Sequence, residues 1–310
     1  MSLNPLSLFR AMPGSIAQGM IWGVMALGVY ITFRLLDFAD LTVDGSIATG
    51  AAVSVMLIRA GVSPLATLPI AFLAGALAGM VTGLLNTALG IPGILASILT
   101  QISLYSINLN IMGKANQPVS VDNYPLVVSL RYVTDGSVSR ILFFLGMIVF
   151  LLALIAVMYW YFGTEQGHAI RATGCNSNMA RAQGINTNFI KVLALMISNG
   201  LVGLCGALYG QFQGASDVNM GRGAIVIGLA AVIIGEVLFG KFASKRKLAF
   251  AFTLASVILG AVIYYMVYQF VLWLKMPSED MKLFSAIVVA IFLAIPYLKE
   301  KRTLRKGASK

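Results

Sequence analysis

Nine apolar runs, most of them close to the length of a bilayer crossing, constrain this chain more than any other feature. They fall near 14–36, 41–60, 64–88, 91–112, 141–162, 189–211, 222–240, 248–273 and 282–298. A helix needs about 20 residues to cross the hydrocarbon core. Of the 310 residues 59% are hydrophobic and 11% charged, against about a quarter charged in soluble proteins. No soluble fold of this length hides so much apolar surface. The expected architecture is an all-α polytopic membrane protein of about 8–10 transmembrane helices, some broken or re-entrant. A single membrane domain over 1–310 is expected, with pseudo-symmetric halves near 37–140 and 141–298.

Charge sets the sidedness. The net charge is +11, and 13 of the 22 basic residues lie in three segments: Arg171, Arg181 and Lys191; Lys241, Lys245, Arg246 and Lys247; and the tail 299–310. Lys/Arg excess in short loops marks the cytoplasmic side. Loop 113–140 is then outside, 163–191 inside, 212–221 outside, and the basic tail 299–310 cytoplasmic. Four runs precede the external loop, so either the N-terminus is outside or one run fails to cross. The expectation is a broken or re-entrant segment within 41–60 with the N-terminus inside; the alternative is an ordinary hairpin with the N-terminus outside. Asp40-Leu41-Thr42-Val43-Asp44-Gly45-Ser46 reads as a helix start with acidic caps. Met1 to Pro13 lacks the pattern of a cleaved signal, so the first run is expected to remain as a helix.

A repeat supports two halves. Leu73, Gly75, Ala76, Leu77, Gly79 and Gly83 align with Leu204, Gly206, Ala207, Leu208, Gly210 and Gly214 at an offset of 131. Glycines at four-residue spacing also serve close helix packing independently. A shifted alignment, Gly93 on Gly228, places Gln101 and Glu236 in comparable positions.

Little here carries chemistry of its own. Gly235-Glu-Val-Leu-Phe-Gly240-Lys241 fits the start of a phosphate loop, but Phe242 stands where Ser or Thr must hold magnesium. A process driven by ATP would therefore need an ATPase on another chain. His168 lacks the neighbours of a metal site, Cys175 and Cys205 sit in unlike surroundings, and no convergent catalytic group is present.

The polar segment between the runs ending at 162 and starting at 189 is more telling. Asn176 or Ser177 can cap a short helix, and Gly184 suits the left-handed residue that ends it. A short helix parallel to the membrane, with small residues on one face, can sit in a partner's groove, with Arg171 and Arg181 pairing with acidic residues there. Gly167-x-Ala169-x-Arg171-Ala172-x-Gly174-x-Asn176-x-x-x-Ala180-x-x-x-Gly184-Ile185, followed by a helix with Gly203, Gly206 and Ala207, resembles the cytoplasmic coupling loop of the branched-chain amino acid and ribose type ABC importer permeases. The resemblance extends to Asp40–Ser46 and to Gly228–Gly235. Leu41-Thr42-Val43-Asp44-Gly45, Ile91-Pro92-Gly93-Ile94-Leu95, Asn110-x-Met112-Gly113 and Gly235-Glu236 depart from the family's sugar-type pattern and are more similar to the tryptophan/tyrosine transport permeases.

The resemblance implies a non-enzymatic permease subunit of an ATP-driven importer in a bacterial inner or plasma membrane. Gly167, Ala169, Arg171, Ala172, Gly174, Asn176, Ala180 and Gly184 would dock an ATPase subunit that uses ATP and Mg. The permease itself holds no cofactor. An extracytoplasmic binding protein would deliver an amino acid, aromatic by preference, and a second permease copy, expected to be identical, would complete the path. A sugar, nucleoside or branched-chain amino acid is the alternative cargo, and an ion-coupled secondary transporter the alternative class. Polar groups within apolar runs are costly without partners, so Asp44, Asn86, Thr100, Gln101, Asn108 and Glu236 are the candidates for the translocation path or gate. A pair with a basic residue is the competing role for Glu236. Tyr264, Tyr265, Tyr268 and Trp273 read as an interfacial aromatic belt.

Overall fold

The computed structural model describes residues 5–134, 137–243 and 248–274, with isolated positions between 283 and 294. The ninth apolar run, Lys245–Lys247 and the tail 299–310 lie outside the described residues. The chain forms α1 (Pro5–Tyr30), continued by a π-helical turn at Ile31–Leu35, then α2 (Thr42–Arg59), α3 (Pro64–Thr87) and α4 (Gly93–Met112). After β1 (Asn116–Pro118) come α5 (Leu130–Thr134), α6 (Ser137–Phe162), α7 (Glu165–Cys175), α8 (Ser177–Ala182) and α9 (Thr187–Gln213). β2 (Ala215–Asp217), α10 (Ala224–Ala243) and α11 (Ala249–Trp273) follow. Six of the described helices are long and apolar enough to span a bilayer.

The helices start and stop where local chemistry allows. Pro64 opens α3 at a position whose N–H needs no partner. Gly113 (φ 70°) and Gly214 (φ 73°) end α4 and α9 in the left-handed conformation that glycine adopts without strain. The strands that follow these two helices pair antiparallel, Gln117 opposite Ser216, and tie the two ends together.

Helix α9 is the axis of the bundle. Along it α3 runs antiparallel, with Thr67 at Gln211, Gly75 at Asn199, Gly79 at Leu195 and Gly83 at Val192. A Cβ on Gly75 would lie 2.1 Å from the Asn199 carbonyl oxygen, so the two backbones touch. Helix α2 runs parallel to α9, through Ser46–Asn199, Gly50–Gly203 and Ser54–Gln211. Helix α1 is antiparallel to α9, with Cys205 bonded to the Ile21 carbonyl and Gly28 against Ser198. In turn α11 runs antiparallel along α1, through Gly23–Ile258, Gly19–Val262 and a Ser15–Gln269 hydrogen bond of 2.8 Å.

These contacts overturn the expected N-terminal orientation. Gly14 lies against Leu130, and Ser15 against the end of α11, so α1 begins at the end of the bundle opposite α7 and α8. The break falls at 36–41, just before α2, and not within 41–60 as expected; α2 itself runs unbroken from Thr42 to the far end, where Arg59 bonds Gln117. Residues 36–41 turn back into the bundle, with Asp37 at φ 54°. The buried Asp40 carboxylate accepts from the Thr42 N–H (2.9 Å) and the Asn199 amide (2.7 Å). Asn199 lies about 18 Å along α9 at 1.5 Å per residue, so α2 starts near mid-depth. Irregular backbone survives at that depth because the surrounding protein satisfies it.

The second broken element mirrors the first. Residues 218–223 re-enter from the opposite end, and the Asp44 carboxylate accepts from the N–H groups of Gly223 and Ile225, both at 2.9 Å, where α10 begins. The pairing α1–α9, α2–α10 and α3–α11 therefore describes the inverted relation. The offset of 131 would place α3 on α9, but those two helices are direct neighbours: the α3 glycines pack on α9, whereas Gly206 and Gly210 pack on α2. The shared glycines thus serve close packing at two different interfaces.

Candidate functional site: a docking platform and a polar cavity

The polar segment folds as two short helices. The Thr164 hydroxyl accepts from Gly167 N–H at the start of α7. Asn176 breaks the helix in extended conformation and caps α8, its side-chain oxygen accepting from the N–H groups of Asn178 (3.1 Å) and Met179 (3.0 Å). Gly184 follows at φ 85°, and Asn186 caps α9 by accepting from Phe189 N–H.

The structure splits the coupling motif into two faces. Gly167 and Ala180 are buried; Ala169, Arg171 and Gly174 are half-buried; Ala172, Asn176 and Gly184 are exposed. A Cβ on Gly167 would lie 2.4 Å from Phe162 Cα, and one on Gly174 would lie 2.0 Å from the Leu35 carbonyl oxygen. Arg171 points inward, contrary to the expectation that it meets an acidic partner. Its guanidinium sits 4.1 Å from the Phe250 ring centroid and 5.7 Å from that of Phe162, a cation–π contact that holds α7 on α6 and α11. Arg181 is exposed and donates to Thr187 Oγ1 (3.1 Å). With Ala172, Asn178 and Met179 it forms the outward face.

The π-helical turn joins this platform to the bundle. Leu35 carries Gly174, while Arg34 makes a two-pronged ion pair with Glu236 near the end of α10, with Nε 2.8 and 3.1 Å from the two carboxylate oxygens. Glu236 is therefore the acidic half of a structural pair, the competing role foreseen for it. Bidentate geometry makes this pair worth more than an ordinary surface bridge, but both groups are partly exposed, so screening lowers the gain to about 1 kcal/mol. Arg34→Ala and Glu236→Ala should each lower ATP-driven uptake about three- to tenfold. The double variant should be no worse than the weaker single one; additive losses in that double-mutant cycle would show the two residues acting separately.

Three of the six path candidates meet in one place. Asp44, Gln101 and Asn108 line a cavity of about 310 Å³ between α2, α4 and the loop before α10, together with Tyr105, Ser106 and Arg222. Asn108 is fully buried, and both polar atoms of its amide lack a hydrogen-bond partner. Buried polar groups are nearly always paired, so this amide marks a place where a ligand or water belongs. The other candidates hold structure instead. Asn86 donates to the Ile91 carbonyl (2.8 Å) and closes the α3–α4 turn. Thr100 joins Thr82 and Thr42 in a chain of buried hydroxyls linking α2, α3 and α4.

Sequence reasoning missed Arg222 and Tyr105, which sit beside the cavity, and Asn199 and Arg34, whose partners are more than 150 residues away; the sequence marks Asp40 as a helix cap but not as the partner of Asn199. The aromatic belt is corrected as well: Tyr264 and Tyr265 are 3% and 4% exposed and point into the bundle. The phosphate-loop look-alike is a stretch of the continuous helix α10, where Gly235 packs against Ser256.

Comparison with known proteins follows from this geometry. Residues 12–296 match the family model described as the permease component of branched-chain amino acid transport systems. The chain is 40% identical to a tyrosine transport system permease protein of Clostridioides difficile, over 90% of this chain and 89% of that one. It is 28% identical to the inner membrane ABC transporter permease protein YjfF of Escherichia coli, over 70% of this chain and 64% of the relative. It is also 28% identical to the autoinducer 2 import system permease protein LsrC of Yersinia pseudotuberculosis, over 82% and 68%. No solved structure matches.

Proposed function

This chain belongs to the family of permease components of branched-chain amino acid transport systems, and on that premise we propose how it works and what it carries. It is a multi-pass membrane permease of an ABC transport system. In our reading α7 and α8 face the cytoplasm of a bacterial cell, dock an ATPase subunit that hydrolyses ATP with Mg, and pass its closure through the π-helical turn into α1, α2 and α10. The C-terminal tail lies on the same side. A binding protein delivers cargo at the opposite end. The single observation that carries the reading is the two-faced α7–α8 platform, clamped by Gly174 and Arg171 on one side and open on the other.

A second, identical copy completes the path. Helix α4 is packed along one stripe only; Asn110 is exposed away from the bundle. Polar side chains in contact with lipid go unsatisfied, which supports a partner copy and a polar path on this side. The cargo is a small amino acid, aromatic by preference, as the name of the Clostridioides relative suggests.

The test is uptake of radiolabelled tyrosine into proteoliposomes holding the permease, its ATPase and its binding protein. Uptake should require all three components and ATP. Asn108→Leu, which fills the cavity without charge, should cut uptake at least about tenfold while the complex still assembles. Uptake that survives loss of the ATPase and collapses with an ion gradient would overturn the energy source; unchanged uptake in Asn108→Leu would remove this cavity from the path.

A further inference from the structure

A second cavity, of about 460 Å³, lies in the half of the bundle away from α7 and α8 and is walled by aromatic rings. Trp22 of α1, Tyr209 of α9 and Tyr264, Tyr265 and Tyr268 of α11 surround it, and Arg222 stands at its edge. The rings are mutually fixed: Trp22 meets Tyr209 edge-on at 5.3 Å and Tyr265 at 5.6 Å. Trp22 is 4% exposed, and its indole N–H has no hydrogen-bond partner. The Tyr209 hydroxyl accepts from the side-chain amides of Gln18 and Gln213, so its own proton remains to be donated. Arg222 is exposed and makes no side-chain hydrogen bond or ion pair among the described residues.

Such a lining suits neither water nor a plain acyl chain. Water needs several polar partners, and an acyl chain leaves the buried indole N–H unpaired. A flat ring fits against edge-presented aromatics, an acceptor on that ring answers the indole N–H, and a carboxylate answers the guanidinium. Arg222 also lines the polar cavity that contains Asp44 and Asn108, so one guanidinium borders both chambers.

We propose that the aromatic cavity is a ring-recognition subsite of the permease itself: it takes the side chain of an aromatic amino acid whose carboxylate rests on Arg222. The inference deepens the proposed function and rests on its reading of the cargo as an amino acid. It places part of the selectivity in the membrane subunit, not only in the binding protein.

The experiment measures binding of radiolabelled tyrosine to the permease–ATPase complex in nanodiscs without the binding protein, with tyrosine, leucine and tyramine as competitors. Tyrosine should compete at least about tenfold better than leucine, which lacks the ring, and than tyramine, which lacks the carboxylate. Arg222→Gln should weaken binding about tenfold or more. Trp22→Phe, which keeps an aromatic ring but removes the indole N–H and shortens the side chain, should weaken it several-fold. Equal competition by tyrosine and leucine overturns the proposal, as does unchanged binding in both variants, or a phospholipid that mass spectrometry finds retained and tyrosine does not displace. If tyrosine uptake by the full system proceeds and its preference over leucine is the same in both variants, the subsite fails while the proposed function stands. If the full system carries no amino acid at all, the cargo reading fails.

Discussion

Gly174→Val abolishes ATP-driven uptake while the protein still inserts and binds its ATPase. The argument is geometric. Gly174 lies on the backbone of the π-helical turn, and a Cβ would fall 2.0 Å from the Leu35 carbonyl oxygen and 2.9 Å from Leu36 Cα. Neither atom belongs to a flexible side chain, so α7 must lift from the turn. The clash lies in a surface element rather than in the α3–α9 seam, so the bundle itself remains assembled. The outward face of Ala172, Asn178 and Met179 stays available, so docking survives while movement no longer reaches α1 and α10. We expect uptake to fall at least about a hundredfold, equivalent to about 2.7 kcal/mol, with ATP hydrolysis persisting. Proteoliposome assays of both quantities check it; uptake within twofold of the parent would show that this contact transmits nothing.

Asp44→Ala is the second large effect. The Asp44 carboxylate holds the N–H groups of Gly223 and Ile225 at the point where α10 starts inside the bundle. Helix N-termini leave N–H groups without intrahelical partners and favour negative charge. Among the described residues the N–H groups of Gly223 and Ile225 are held by this one side chain from α2. Hydrogen bonds to a charged group are worth about 1.5–3 kcal/mol each, so losing both should lower the thermal unfolding midpoint of the purified protein and cut uptake at least tenfold. Asp44→Asn keeps an acceptor oxygen without the charge and should fall between parent and alanine variant. A midpoint and uptake unchanged in Asp44→Ala would show that α10 is held by other means.

Much of this was legible from residue types. Seven of the nine apolar runs locate their helices to within about four residues, because in lipid the backbone has almost no other way to satisfy itself; the first run begins nine residues after α1 does, and the ninth lies outside the described residues. Asn176 and Gly184 announced a capped short helix because their roles are local: a side-chain acceptor three residues from its donor, and a positive φ. Side-chain direction was not legible. The alternation of small and polar residues in α7 fits either an inward or an outward Arg171, and only Phe162 and Phe250, from helices far apart in sequence, decide it. The orientation of α1 was misjudged for a related reason. A broken helix start was equated with a helix that fails to cross, whereas Asp40 and Asn199 satisfy the break and let α2 continue. Tyr264 and Tyr265 lie on a helix apolar all round, which leaves no periodicity to say which face is inside.

The most direct measurement is a site-specific cross-link. A photo-cross-linking phenylalanine analogue placed at Met179, which is 65% exposed on α8, should capture the ATPase subunit in the assembled complex, with a yield that changes on ATP addition. The same group placed at Asp122, exposed at the opposite end, should capture the binding protein and not the ATPase. ATPase captured from Asp122, or none captured from Met179 in a complex that transports, would contradict the account.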